Sequence, residues 1–144
     1  MNLLQYFNTP EVRKAFHVNE KLKEVTPFSN FVLNNWQSPL ESSNWIYDLL
    51  ILNGGYRLLH ITSNVDALLS ETGAWKWIKK RKLSVKTPWT PWVSKDQQLI
   101  GYRKEYDKNF TYLTIHGNGH NGFLDRFDIA PGIVINFMHD LPIF

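Results

Sequence analysis

The sequence predicts an α/β protein with about three strands and four helices. Some segments have apolar residues at the spacing of one helix face, and they alternate with short runs that are typical of strands. The clearest of these runs is Tyr56 to Thr62. The 144 residues, 43% of them hydrophobic, suit a single domain over residues 1–144 with its own core. A sheet of so few strands has open edges unless another element covers them.

Caps and breakers place the helices in the first part of the chain. A helix is predicted over residues 9–17, where a threonine can cap and the following proline suits the first turn. Residues 18–37 are predicted to be irregular. A longer helix is predicted over residues 38–53, where Ser-Pro begins it and Asn-Gly-Gly ends it. Its buried apolar stripe is expected to consist of Trp45, Leu49 and Leu52.

The second part of the chain is predicted to alternate between strands and helices. Residues 87–92 (TPWTPW) cannot lie inside a helix, because proline lacks the backbone donor and restricts the residue before it. Residues 116–120 (HGNGH) are predicted to form a tight turn. The other predicted elements are a strand over 56–62, a helix over 70–80, strands over 97–106 and 109–116, and a helix over 128–139.

Composition excludes several classes of function. The 16 Lys and Arg against 13 Asp and Glu give a net charge of +3, too small to indicate a nucleic-acid partner without a clustered patch. The absence of cysteine excludes disulfides, thiolate zinc sites and a cysteine nucleophile. Apolar runs reach only four residues, so no membrane span is expected. Residues 1–7 do not resemble a signal peptide, and we expect an intracellular location, in the cytoplasm or inside an organelle such as the mitochondrion.

Two residues placed after predicted strands could carry chemistry. Asp66 follows the first strand, and His120 follows the last strand through a glycine-rich turn. Open α/β sheets place functional residues after their strands, and an acid followed by a histidine ends the Ser, Asp, His order of α/β-hydrolases. There the carboxylate orients the imidazole, which takes the proton of the nucleophile. Spacing alone is more typical of a turn cap and a surface histidine.

Other candidate sites are weaker. His116 and His120 have the spacing of metal ligands on a helix, but the glycines between them argue against a helix, and no metal or other cofactor is predicted. The chain's eight serines lie in loops or at helix starts, where each is interpreted as a cap or turn residue rather than a nucleophile.

A basic cluster lies beside two tryptophans, Trp75 and Trp77, at the end of the predicted helix over 70–80. It could contact phosphates while the indoles stack on bases. It could also be a solvated helix end whose cations complement the helix dipole, which is the interpretation we favour. A charged surface that meets a partner protein is a variant of that interpretation. The cluster consists of Lys76, Lys79, Lys80, Arg81, Lys82 and Lys86.

Four blocks of the sequence resemble, in order, the motifs of one enzyme family. Residues 6–18 (YFNTPEVRKAFHV) resemble Y-L-N-x-P-x-V-x-x-A-L-H-V, and residues 55–60 (GYRLLH) resemble G-x-R-V-L-I. Residues 87–106 resemble W-x-P-W, Q-x-x-G-Y and a later Y, and residues 114–126 resemble V-x-G-A-G-H-M-V-P-x-D-R. The chain resembles the carboxyl-terminal third of a serine carboxypeptidase.

This resemblance implies a partial α/β-hydrolase fold, whose sheet is incomplete without a partner chain, and two catalytic positions. Asp66 stands at the second acid of the family's G-D-x-D, and His120 stands at the catalytic histidine. Ser63 and Asn64 replace the glycine and the first acid of that motif. Asn121 replaces a methionine that shapes the family's substrate pocket, so the resemblance implies an altered pocket.

The nucleophile of the family has no counterpart in these residues. No G-x-S-x-G occurs in the 144 residues, and without a serine hydroxyl beside it His120 has no proton to take. The chain alone is therefore not expected to be a peptidase. Two functions stay open: a non-catalytic structural or accessory subunit of a multi-subunit assembly, which we favour, and the second chain of a split serine carboxypeptidase that supplies Asp66 and His120.

Overall fold

The computed structural model describes residues 2–37, 42–94, 96–121 and 125–143. Its first elements are three short helices, and a longer helix, four strands and two further helices follow them. Two compact units comprise Met1–Ser42 and Ser43–Phe144. No helix among the described residues is long and apolar enough to cross a membrane. In chain order the elements are α1 (Leu3–Phe7), α2 (Pro10–Ala15), α3 (Asn30–Asn35), α4 (Asn44–Asn53), β1 (Leu58–Ser63), α5 (Glu71–Lys80), β2 (Val85–Val93), β3 (Leu99–Tyr106), β4 (Phe110–Ile115) and α6 (Ala130–Met138).

The strands of the second unit form an open, mixed sheet in the order β1, β4, β3, β2. β1 runs parallel to β4, from Leu58 opposite Phe110 to Ser63 opposite Ile115. β3 is antiparallel to both of its neighbours. This sheet and its flanking helices are compatible with the predicted α/β class, although the sheet has four strands where about three were predicted.

The unpredicted strand is β2, which contains Pro88 and Pro91. These prolines exclude a helix, but a strand tolerates them here because β2 lies at an edge of the sheet. The strand is anchored by Trp92, whose Nε1 donates to the carbonyl oxygen of Thr114 at 3.1 Å. The indole reaches that carbonyl beside Gly101, where a Cβ would lie only 1.8 Å from the same oxygen.

The sheet separates two hydrophobic cores, because successive side chains of a strand point to opposite faces. On one face, Ile133 of α6 packs in a cluster with Leu113 and Ile115 of β4. On the other face, Ile78 of α5 packs in a cluster with Tyr112 of β4. A helix therefore covers each face of the sheet, and the predicted helices over 70–80 and 128–139 are confirmed as α5 and α6.

The described part of the first unit has three short helices where one was predicted. α2 begins with a proline at residue 10, as predicted, but α1 precedes it with a capping box in which Asn2 Oδ1 accepts from Gln5 N at 2.9 Å. α3 lies within the range predicted to be irregular, and Ser29 Oγ caps it by accepting from Val32 N. These helices have only five or six residues, too few for a repeated apolar face to identify them.

α4 buries a different side from the predicted one. Trp45, Leu49 and Leu52 are 59%, 58% and 80% exposed, whereas Ile51 is buried and the ring of Tyr47 packs on that of His60. The helix sequence (NWIYDLLILN) is apolar around most of its circumference, so periodicity does not decide which side faces the sheet. The predicted start of this helix, over residues 38–41, lies outside the described residues.

Candidate functional site

The parallel pairing of β1 with β4 brings the ends of both strands to the same edge of the sheet. The chain leaves β1 after Ser63 and β4 after Ile115. The loops that follow are tied together, because Asn64 N donates to Ile115 O at 3.5 Å and Gly117 N donates to Asn64 Oδ1 at 3.0 Å. Any side chains carried by these two loops are therefore held close to one another.

Asp66 and His120 meet at this edge. The Nδ1 atom of His120 lies 3.2 Å from Oδ2 of Asp66. The Asp66 side chain is only 9% exposed, whereas the His120 side chain is 53% exposed. Oδ1 of Asp66 accepts from the backbone N–H groups of Leu68 at 2.8 Å and Leu69 at 3.0 Å. The carboxylate is thus fixed by the backbone, and the imidazole that it orients faces solvent.

These contacts favour the charged form of Asp66. The backbone N–H of Leu69 is the largest cause that lowers the pKa of Asp66 below its ordinary value, followed by Leu68 and His120, while partial burial opposes the shift. The carboxylate is therefore ionised at neutral pH. An ionised carboxylate that hydrogen-bonds Nδ1 can orient a histidine for proton transfer at its other ring nitrogen.

The turn before His120 is held by the segment after it. Gly119 N donates to Asp125 Oδ2 at 2.7 Å, and a Cβ on Gly119 would lie 2.7 Å from that oxygen, so only glycine fits without displacing the carboxylate. Arg126 Nη1 donates to the carbonyl oxygen of His116 at 2.8 Å. Asp128 pairs with the same guanidinium, which lowers the pKa of Asp128. These contacts fix the backbone from which His120 projects.

A largely apolar depression of about 560 Å³ adjoins the Asp–His pair. Residues 60–63 of β1 form one wall, and Trp77 of α5 lines another part. Two serines also line the depression, but their hydroxyls have other partners. Ser63 Oγ accepts from Val65 N at 3.2 Å, and Ser70 Oγ caps α5 by accepting from Gly73 N at 3.2 Å. In the described part of the chain, the side-chain partner recorded for His120 is Asp66 and neither serine.

The remaining predicted site residues do not join this pair. Asn121 is exposed and does not line the depression, and its role in an altered substrate pocket stays a prediction. The ring of His116 packs on Tyr102 instead of facing a ligand. Within the described ranges, no group of three or more His, Asp or Glu side chains could hold a metal ion. The catalytic roles of Asp66 and His120 also stay predictions.

Three residues of the site were missed by sequence reasoning. Asn64 ties the two loops, and its position directly after a predicted strand was the available signal. Asn118 is 5% exposed and lines the depression, and its Oδ1 has no hydrogen-bond partner among the described residues. His60 also lines the depression, accepts or donates a hydrogen bond with Tyr47 Oη at 3.1 Å, and has its pKa lowered by burial. Nothing in the sequence marked His60 as different from a core residue of β1.

The open mixed sheet with its flanking helices, and an Asp–His contact after two parallel strands, are compatible with the α/β class. A family model described as serine carboxypeptidase matches residues 1–140. The chain is 31% identical to serine carboxypeptidase-like 38 of Arabidopsis thaliana over 141 aligned residues. This alignment covers 96% of this chain and 29% of that protein. It is 35% identical over 117 residues to putative serine carboxypeptidase-like 23 of the same plant, covering 80% and 25% respectively.

The chain therefore belongs to the serine carboxypeptidase family, as the motifs predict. It spans about a quarter of the length of the curated relatives that it matches. The part of the chain that matches the family model, residues 1–140, includes residues of both compact units.

Replacing Asp66 with Asn is expected to lower the free energy of unfolding at neutral pH, because the charged carboxylate is the form that its partners stabilise. Since the folded-state pKa of Asp66 lies below its ordinary value of 3.8, this stabilisation is present above that value and is lost as the pH falls through the folded-state pKa. Urea unfolding of the wild type and Asp66→Asn should therefore show a difference that shrinks in acid. A difference that stays constant from neutral pH into acid would contradict this assignment.

Proposed function

We propose that this chain is a non-catalytic accessory subunit of a larger protein assembly, in which another polypeptide segment completes its sheet beside β1. The observation that carries the proposal is the outer edge of β1, which pairs with no strand in the described part of the chain and carries no proline, lysine or bulge. The curated relatives are roughly three times as long as this chain, so the family's activity is for this chain itself a matter of proposal.

The two edges of the sheet differ in a way that supports this proposal. β2 carries Lys86 and two prolines, and its pairing with β3 shifts register three times, all of which discourage a further strand. β1 (LLHITS) has no proline, no lysine and no register shift against β4. The edge at β1 is therefore suited to pair, and the edge at β2 is not.

The ladder between β1 and β4 identifies the groups that would pair. Leu58 N donates to Asn109 O at 2.9 Å, and Asn64 N donates to Ile115 O, so alternate residues of β1 direct their backbone groups toward β4. The intervening residues Leu59, Ile61 and Ser63 direct their backbone N–H and C=O groups toward the free edge. A strand beside β1 would satisfy these groups.

Exposed apolar side chains near β1 also support a protein partner. Leu68 and Leu69, which line the depression beside β1, are 75% and 69% exposed. On α4, the side opposite Tyr47 presents large apolar residues to solvent. Monomeric proteins rarely expose contiguous apolar surface of this kind unless it is an interaction site. In this interpretation the Asp66–His120 contact serves to hold two loops together.

Ile61→Pro is expected to release the chain from its assembly, because proline removes the N–H at the free edge of β1 while leaving the donors to β4 intact. Ile61→Ala is the matched control, since it loses the same packing but keeps the N–H group. Both variants would be expressed with a tag in the native cells, and the mass of the complex would be measured by sedimentation. Release by Ile61→Pro with retention of Ile61→Ala is the expected result, and equal behaviour of the two variants would contradict the proposal.

The geometry of Asp66 and His120 favours a second candidate, the split serine carboxypeptidase. The pair has the arrangement in which a carboxylate holds Nδ1 of a histidine and leaves Nε2 to accept a proton. A partial α/β-hydrolase fold would then be completed by a second chain, whose serine hydroxyl would lie against Nε2 and attack the peptide carbonyl after losing its proton to His120. Such a chain would supply the G-x-S-x-G turn that these 144 residues lack.

A fluorophosphonate probe distinguishes the two candidates. In the split enzyme, the probe labels a serine of the partner chain, and His120→Ala lowers the labelling rate by on the order of a thousandfold. His116→Ala is the matched control in the same turn, and it should leave labelling unchanged. For an accessory subunit, neither substitution alters any labelling or the mass of the assembly.

A further inference from the structure

The outer face of α5 and the segment after it carry an unpaired basic surface, which we call the lysine face. Its members are exposed, and within the described residues none of them forms an ion pair with an acidic side chain. Residues 75–86 contain six of the chain's 16 Lys and Arg and no Asp or Glu. The lysine face consists of Lys76, Lys79, Lys80 and Lys82.

Arg81 belongs to the same basic cluster in the sequence but not to the lysine face. Its side chain is 10% exposed, and its Nε lies 2.8 Å from Asp48 Oδ1. Its Nη1 donates to Trp77 O at 3.0 Å and its Nη2 to Asn44 O at 2.9 Å. Arg81 therefore joins the end of α5 to the beginning of α4, and its guanidinium is not available to an external ligand.

The helix dipole accounts for only part of the lysine face. Lys79 and Lys80 lie in the last turn of α5, where cations complement the partial negative charge of the helix end. Lys76 lies a turn earlier, where this effect is weaker. Because Lys79 and Lys80 follow Lys76 by three and four residues, both lie next to it on the surface of α5. Their mutual repulsion is a cost that a binding surface would offset.

We propose that the lysine face is a docking surface for an acidic patch on a partner protein. Clustered positive charge without internal counter-charges is the complement of such a patch, and it accelerates and orients association. This inference rests on the proposed role in a protein assembly. Its test leaves the β1 edge unchanged, so the two proposals can fail separately.

The aromatic residues of the cluster argue against single-stranded nucleic acid as the partner. Single-stranded nucleic acid is held by bases that stack on free aromatic faces. Lys79 Nζ lies 5.0 Å from the ring centre of Trp75, and the Arg81 guanidinium lies 4.4 Å from that of Trp77, so each indole already has a cation of this chain on its face. With Arg81 also occupied, the lysine face offers point charges and neither a stacking platform nor an arginine fork for phosphate.

Charge reversal tests the docking surface directly. The variant replaces Lys76, Lys79, Lys80 and Lys82 with Glu, and the matched control replaces four exposed lysines elsewhere, Lys14, Lys21, Lys23 and Lys108, with Glu. Both variants therefore have the same net charge. Fluorescence anisotropy would measure binding of the full chain to a labelled oligoglutamate peptide, to a labelled DNA duplex of matched charge and to phosphatidylserine vesicles over a range of salt concentrations.

Oligoglutamate should bind the wild type with strong salt dependence, and the lysine-face variant should bind about tenfold more weakly or worse, while the control loses far less. Equal weakening of both variants, or no measurable binding by the wild type, would overturn the proposal. Tighter binding of the duplex or the vesicles than of the peptide would overturn the choice of a protein partner. If charge reversal unfolds the chain, the same four lysines replaced with Gln provide the test, with at least a several-fold loss expected.

Discussion

The parallel pairing of β1 with β4 is the constraint on which the rest of this structure depends. It places the two strand ends at one edge of the sheet, and Asn64 then links the loops that follow by accepting from Gly117 N. Asp66 and His120 meet only because of that alignment. Among the described residues no strand pairs with the other side of β1, so this strand both leads into the candidate site and forms an edge of the sheet.

Much of the fold was predictable from the sequence, and the failures have physical reasons. β1, β3 and β4 were predictable because turn residues bound their apolar runs, and α5 because one of its faces is apolar. β2 was not, since its prolines argue against regular structure until its place at a sheet edge is known. The prediction of which side of α4 is buried was wrong, because that helix is apolar on nearly every side. For the site, motifs predicted Asp66 and His120, but only three-dimensional packing shows that Asn118 and His60 line the depression beside them.

Family membership and the proposed function are compatible because the chain spans only about a quarter of its relatives. The local features that carry the family resemblance, a Gly-rich turn and an Asp–His pair, lie within this span. Large apolar residues on α4 and along the depression are exposed, which agrees with the proposed interaction surface. The lysine face is different, since it carries charge rather than apolar area and lies on the solvent side of α5.

Amide hydrogen exchange along β1 tests the central claim most directly. In the isolated chain, the amides of His60 and Thr62, which face β4, should exchange slowly, while those of Leu59, Ile61 and Ser63 should exchange rapidly. In the assembly purified from native cells, the second set should become as slow as the first. Rapid exchange of Leu59, Ile61 and Ser63 within that intact assembly would contradict the claim that a neighbouring strand completes this sheet.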